Sequence, residues 1–179
     1  TPISLYNKTK MISERVLMSY QNEIDIYCIR PATVCGVSPR MRLDLTVNIL
    51  TYNAIKNNII NVFGGKQIRP NIHINDMVDI FYFFLKKKIP TGIYNAGFEN
   101  MSVISIAKLV SNITGAKIEV QKSNDPRSYR LDSSKLLKRG FKPKYSVETG
   151  IEDVIKFTKS TKILKSFFSV KWLKDLSIK

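Results

Sequence analysis

Apolar and polar residues follow two alternating rhythms along this chain. Between Tyr6 and Tyr20, the apolar positions Met11, Ile12, Val16, Leu17 and Tyr20 recur at helical spacing, with Pro2 and Ser4 ahead of them as helix-start chemistry. Ile24–Ile29 (IDIYCI) is short and β-rich, the profile of a buried strand. Arg30–Arg42, with two prolines and a glycine, predicts a loop. Asp44–Asn57 predicts a helix with Asp44 as its N-cap. Ile59–Phe63 predicts a strand closed by Gly64-Gly65, and Ile68–Ile74 an extended segment, because Pro70 forbids a helix there. Asn75 or Asp76 is expected to cap a helix running to about Leu85. A strand at Gly92–Asn95, a helix at Val103–Ile113 and a strand at Lys117–Gln121 follow. Then come a polar loop at Lys122–Tyr129, a short helix at Ser133–Arg139 and a helix from Val147 to Thr158. Ile163–Lys179 mixes Phe167, Phe168, Trp172 and Leu173 with lysines and predicts an amphipathic tail helix, docked on the body by preference, with rest on an anionic surface as the alternative. Helix–strand alternation of this kind implies an α/β fold with parallel strand pairs.

Composition changes the picture little. At 179 residues, 44% hydrophobic, the chain can bury one core. Its longest apolar stretches, such as Asp79–Leu85, fall short of the ~20 residues a membrane span needs, and no leader pattern is read at its start. Two cysteines, Cys28 and Cys35, exclude a disulfide scaffold and a four-cysteine zinc site, and suggest a reduced, cytoplasmic setting. No metal-ligand set is read.

Charge is less ordinary. Lys+Arg number 29 against 14 Asp+Glu, a net of +15. Such an excess raises the question of a polyanionic partner. Lys, Asn and Ile together make up 57 residues, however, and all three have A/T-rich codons, so nucleotide bias accounts for much of the excess. The cations are scattered, and the only run, Lys86–Lys88, falls at a predicted helix end where cations suit the macrodipole. The expectation is a solvated basic surface with neither nucleic acid nor membrane as partner.

Tyr6 and Lys10 stand four residues apart and share a helix face. An ammonium beside a phenol favours the phenolate, and such a tyrosine can take a proton from a substrate hydroxyl while a cofactor takes the hydride. The spacing alone is uninformative, since Tyr52…Lys56 and Tyr82…Lys86 repeat it and read as core aromatic plus surface cation. Context distinguishes the first pair.

That context begins with Thr1-Pro-x-x-x-Tyr6-x-x-x-Lys10-x-x-x-Glu14, followed by a strand and Arg30-Pro-Ala-Thr-Val-Cys-Gly36. It continues through Ser38-Pro-Arg-Met-Arg-Leu-Asp44 and Gly65-Lys-Gln-Ile-Arg-Pro-Asn-Ile-His-Ile-Asn-Asp76. It returns at Asp125-Pro-Arg-Ser-Tyr-Arg-Leu-Asp-Ser-Ser-Lys135 and Gly140-Phe-Lys-Pro143. In order and spacing, positions 1 to 155 resemble the NAD-dependent epimerase/dehydratase family, the extended short-chain dehydrogenase/reductases that act on nucleotide sugars.

The resemblance implies a fold, roles and partners. The fold would be the C-terminal part of a Rossmann-type doubly wound sheet plus a small α/β substrate-binding region. Residues 1–60 would belong to the dinucleotide-binding fold, 61–160 would mix its remaining elements with the substrate region, and 161–179 would be the basic tail. Tyr6 would be the acid/base, and Lys10 would hold the nicotinamide ribose. Pro31, Ala32 and Thr33 would border the nicotinamide of NAD, with NADP left open. Asn48 and Arg69 would meet the substrate diphosphate. Arg127 or Arg130, with Lys122 a weaker choice, would make a second contact, and Asp125 would fix that loop or the nucleotide ribose. Glu14 reads as a support residue, His73 as a packed, hydrogen-bonded histidine, and Arg40 and Arg42 as either phosphate contacts or loop surface. Cys35 stands where the family usually carries an aromatic residue. A nucleotide-sugar substrate and a homodimer are the implied partners.

The family's Gly-x-x-Gly-x-x-Gly turn and its catalytic Ser/Thr are not found in the chain. The expectation is therefore the C-terminal half of a longer enzyme, binding NAD weakly or not at all and inactive alone. A non-catalytic nucleotide-sugar-binding module and a basic nucleic-acid-binding protein are the alternatives.

Overall fold

A computed structural model describes residues 5–123, 127–163 and 167. Most predicted elements form where their periodicity is strongest. They are α1 (Leu5–Ser19), β1 (Tyr27–Pro31), β2 (Thr33–Cys35), α2 (Thr46–Asn57), β3 (Ile59–Phe63), β4 (Ile68–His73) and α3 (Ile74–Lys86), then β5 (Gly92–Ala96), β6 (Glu99–Ser102), α4 (Val103–Thr114), β7 (Lys117–Gln121), α5 (Ser134–Lys138) and α6 (Val147–Ser160).

Three small sheets result. β1 pairs with β5 in parallel, with Tyr27 opposite Gly92 and Pro31 opposite Ala96. β2 pairs in parallel with β4, which pairs antiparallel with β6. β3 and β7 form a third, parallel pair. Parallel pairing needs long crossovers, here supplied by helices, as the alternation implied. One core gathers Val47, Leu50 and Ala54 of α2, Ile60 and Val62 of β3, Ile106 and Val110 of α4, and Val147 and Ile151 of α6. A second gathers Ile80 and Phe84 of α3, Tyr94 and Ala96 of β5, Leu136 of α5 and Phe141.

Several local expectations are corrected. The segment read as a loop from Arg30 contains the end of β1 and all of β2, because Thr33–Cys35 finds a partner in Asn71–His73 of β4. Asp44 does not cap α2: Leu45 holds that position with no side-chain bond, and Asp44 instead receives Arg42 at 2.6 and 2.7 Å. Neither Asn75 nor Asp76 caps α3. His73 does, its Nδ1 accepting the Asn75 N–H at 3.1 Å. With Nδ1 an acceptor, Nε2 carries the proton and donates to Asp153 Oδ2 at 3.3 Å. His73 is 2% exposed and stacks on Tyr145, matching its reading as a packed residue. β6 was not predicted. Its sequence, ENMS, has no apolar alternation, and it forms through pairing with β4. Phe167 packs against Phe157 with ring centroids 5.7 Å apart. Apart from Ile163, the rest of the predicted tail helix lies outside the described residues.

Asp76 is fully buried and accepts the backbone N–H groups of Lys144 and Tyr145 at 2.9 and 3.2 Å. It thereby holds the segment leading into α6 against α3. Asp76→Ala strands both donors and is expected to destabilise the fold by about 2 kcal/mol, read from the urea midpoint. Asp76→Asn keeps one acceptor oxygen and should lose less.

Candidate functional site

The site is organised around the three residues that join β1 to β2. The Ala32 N–H donates to Ala96 O at 2.7 Å, which continues the β1–β5 pairing past Pro31. Gly97 lies directly behind this segment, where an added Cβ would meet Ala32 Cβ at 2.5 Å and Leu131 Cδ2 at 3.0 Å. Only a residue without a side chain permits that approach. Ser133 locks Gly97 in place, accepting its N–H at 2.9 Å and donating to its carbonyl at 2.8 Å. Gly97→Ala should therefore push Pro31–Thr33 forward and destabilise the fold by about 1–3 kcal/mol. Adding Ala32→Gly should restore part of the loss in a double-mutant cycle of melting free energies.

On one side of the segment is a cleft of about 920 Å³. Tyr6, Lys10 and Glu14 of α1 line it together with Cys28, Arg30 and Pro31 of β1. Tyr6 is 67% exposed, so its hydroxyl is not inside packed protein. The Lys10 ammonium lies 5.5 Å from the centroid of the Tyr6 ring, over its face. α1 buries none of its residues, and Leu5, Ile12, Val16, Leu17 and Tyr20 are exposed. It is tied to β1 by a two-pronged ion pair in which Arg30 donates Nε to Glu14 Oε2 at 2.8 Å and Nη2 to Oε1. Glu14 is thus the support residue it was read to be. Cys28 is half-buried at the cleft, and burial pushes its thiol pKa up. Cys35 lies in the core, where burial above all pushes its thiol up to about 12.

A second cleft, of about 560 Å³, reaches the segment at Thr33 and is lined also by Asn53, Asn61, Phe63, Arg69, Gln121, Arg127 and Tyr129 among others. Arg69, on β4, is one of the lining residues. It donates Nη1 to Ile68 O at 3.2 Å and to the carbonyl of Arg127. The arginine-bearing loop is zipped to β4 by two more bonds, Ile68 N–H to Ser128 Oγ at 3.0 Å and Tyr129 N–H to Ile68 O at 3.4 Å. Residues 58 positions apart are so brought to one wall. Asn71 steadies the Arg69 backbone from behind, donating to its carbonyl at 2.8 Å.

The expected site residues therefore divide. Tyr6, Lys10 and Pro31 share the first cleft, Thr33, Arg69 and Arg127 share the second, and Ala32 joins the two. Asn48 is placed elsewhere. It is 2% exposed, and its amide accepts the Gly36 N–H at 3.2 Å and donates to Arg42 O at 3.0 Å, so it braces the 36–42 loop from inside. Arg130 and Lys122 are exposed and do not line the second cleft. Asp125 lies outside the described residues. Sequence reasoning missed Asn53, Asn61, Phe63 and Tyr129. The signal was present in part: Asn61 and Phe63 alternate on one face of β3, and Asn53 lies two helical turns beyond Thr46 on α2.

Comparison with known proteins converges on the same class. The model of the NAD dependent epimerase/dehydratase family matches residues 1–97, and the chain belongs to that family. An uncharacterised UDP-glucose epimerase of Bacillus subtilis, YtcB, is 28% identical over 170 residues, covering 89% of this chain and 53% of that protein. Among solved structures, UDP-glucuronic acid 4-epimerase of Bacillus cereus, in complex with UDP-glucuronic acid and NAD, is 28% identical with a TM-score of 0.73, covering 89% of this chain and 54% of that one. UDP-glucose 4-epimerase of Thermus thermophilus, in complex with NAD, shares the fold at 22% identity and a TM-score of 0.76, covering 90% of this chain and 56% of that one. The chain spans about half the length of the curated relatives it matches. Among the described residues, no helix is long and apolar enough to cross a membrane.

Proposed function

We infer that this chain carries the catalytic helix and the substrate-diphosphate cleft of a nucleotide-sugar epimerase or dehydratase that uses NAD for transient oxidation of a sugar hydroxyl. The observation that carries this reading is the pair of clefts flanking Pro31–Thr33, with a phenol and an ammonium in one and two arginines in the other.

The residues fit the nicotinamide end of NAD. The first cleft lies beside the carboxyl end of a parallel strand, the usual place for a dinucleotide, and offers donors suited to a ribose diol. Lys10 and Tyr6 would hold that ribose, and Pro31, Ala32 and Thr33 would border the ring. The bound cofactor supplies a hydride acceptor that later acts as donor. The Tyr6 oxygen takes the proton of the sugar hydroxyl and returns it on reversal. Arg69 and Arg127 anchor the diphosphate, guanidinium forks being matched to phosphate oxygens. Anchoring at a distance orients the sugar at the reacting end.

None of the eight glycines forms a Gly-x-x-Gly-x-x-Gly turn, so these residues offer the NAD pyrophosphate no cradle of that kind. This chain alone accordingly binds NAD weakly and does not turn over. The exposed apolar side of α1 supports a homodimer, or cover by further protein, in the working enzyme. Calorimetric titration of the chain with UDP-glucose tests the substrate half of the reading directly. One saturable site, weakened by added salt, is expected. Absence of binding at millimolar nucleotide sugar would refute it.

A further inference from the structure

The segment that brings Arg127 and Tyr129 to the second cleft has no regular structure from residue 127 to the start of α5, and residues 127–130 are exposed. A strap that buries so little is held by whatever takes its polar groups. At its downstream end the buried Ser133 is bonded both ways to Gly97. At its upstream end the ties reach Ile68 and Arg69 of β4. One of them, from the Tyr129 N–H to Ile68 O, is long at 3.4 Å. Another comes from Arg69, which donates to the Arg127 carbonyl and is also the guanidinium read as the diphosphate anchor.

Between the two ends stands Asn100 of β6, opposite Pro70 on the strand that bears Arg69. Its amide grips the Leu131 backbone twice. Oδ1 accepts the Leu131 N–H at 2.8 Å, and Nδ2 donates to the Leu131 carbonyl at 3.1 Å. The side chain thus serves a residue 31 positions away as the peptide group of a neighbouring strand would. An amide suits the task, since a carboxylate has no proton to donate and an ammonium no lone pair to accept with. Asn100 is half-buried and is not among the residues lining either cleft, so any effect it has on a ligand passes through the strap.

We propose that Asn100 is a positioning residue for nucleotide-sugar binding: by pinning Leu131 it keeps Arg127 and Tyr129 at the wall of the second cleft. The inference rests on the reading of that cleft as the diphosphate site. The pin does not depend on substrate, whereas Arg69 serves both the loop and the phosphate. A strap already held in the free protein loses little freedom when a ligand arrives, so less of the contact energy is spent on ordering it. Loss of the pin frees residues 127–131, while Ser133 still fixes Gly97 behind Ala32. The consequence therefore falls on the second cleft.

Calorimetric titration with UDP-glucose tests this. Asn100→Ala should weaken binding by about three- to ten-fold, comparable to one or two ordinary hydrogen bonds. In a chain already carrying Arg127→Ala and Tyr129→Ala, the same substitution should cost less than about two-fold, because the strap then presents nothing to the ligand. Ser111→Ala removes a remote hydrogen bond, from α4 to Ala116 O at 2.7 Å. It should lower the urea midpoint and leave the affinity unchanged. Without ligand, Asn100→Ala should speed hydrogen exchange at the Ile68 and Tyr129 amides, which bond the strap to β4 and not to Asn100. Amides of β3 and α4 should keep their protection. Asn100→Ser, a milder loss of the same two bonds, should move both readouts in the same direction. With a dinucleotide-binding segment supplied, KM for the nucleotide sugar should rise while kcat stays within about two-fold. An equal loss in the Arg127–Tyr129 background, an equal loss in Ser111→Ala, or unchanged exchange at Ile68 and Tyr129 would each overturn the proposal. Ordinary binding that Asn100→Ala leaves unaffected would sink this inference alone. A chain that binds no UDP-glucose before any substitution would sink the reading of the cleft and this inference with it.

Discussion

Tyr6→Phe should lower kcat by about 10²–10⁴-fold, the range that a positioned general acid/base contributes, in an assay that supplies a glycine-rich dinucleotide-binding segment alongside this chain. The argument is local. Tyr6 projects from a helix with no buried residue into the first cleft, so removing its hydroxyl touches no core contact and leaves the fold intact. KM for the nucleotide sugar should stay nearly constant, because the diphosphate anchor lies in the other cleft. Lys10→Met is expected to raise the KM for NAD as well as to lower kcat, since the same ammonium serves the ribose. Initial rates at varied sugar and varied NAD separate these outcomes. Unchanged kcat in Tyr6→Phe would favour a binding module without chemistry.

Arg69→Ala should weaken nucleotide-sugar binding by about 10- to 100-fold, from the loss of one or two charge-assisted hydrogen bonds to phosphate. Its effect should exceed that of Arg127→Ala, because Arg69 also donates to the Arg127 carbonyl and so keeps the loop at the cleft wall. Arg69→Lys retains the charge without the planar fork and should recover only part of the affinity. In kinetic terms the loss should fall on KM, the reverse of Tyr6→Phe. Calorimetry with UDP-glucose reads it on this chain directly. Equal affinity for Arg69→Ala and the unaltered chain would remove the second cleft from substrate binding.

What could be read in advance depended on how local the determining contacts are. α1, β3, α4, β7 and α6 were legible because each carries a strong period of its own. β6 was not, since Glu99–Ser102 becomes a strand only by pairing with β4, about thirty residues back. His73 as the cap of α3 was hidden for a similar reason: a histidine ending a strand gives no sign that its ring will turn to the next helix. Asn48 was expected at the diphosphate from the family resemblance alone, which carries a position across but not its surroundings. The 36–42 loop folds over it and takes up its amide.

At the site the same division holds. Tyr6, Lys10 and the Pro31–Thr33 segment were legible as one motif because they lie close in sequence and flank one strand. Arg69 was legible as an aimed side chain because the proline after it stiffens the strand. Its meeting with Arg127 depends on three bonds that span 58 to 61 positions, which no local pattern encodes.

A crystal structure of the chain with UDP-glucose bound is the most direct measurement of whether the two clefts serve one substrate. The diphosphate is predicted within hydrogen-bonding distance of the Arg69 guanidinium, with the sugar passing Thr33 toward the Tyr6 hydroxyl. A diphosphate seated anywhere else, or a sugar directed away from Tyr6, would contradict the account.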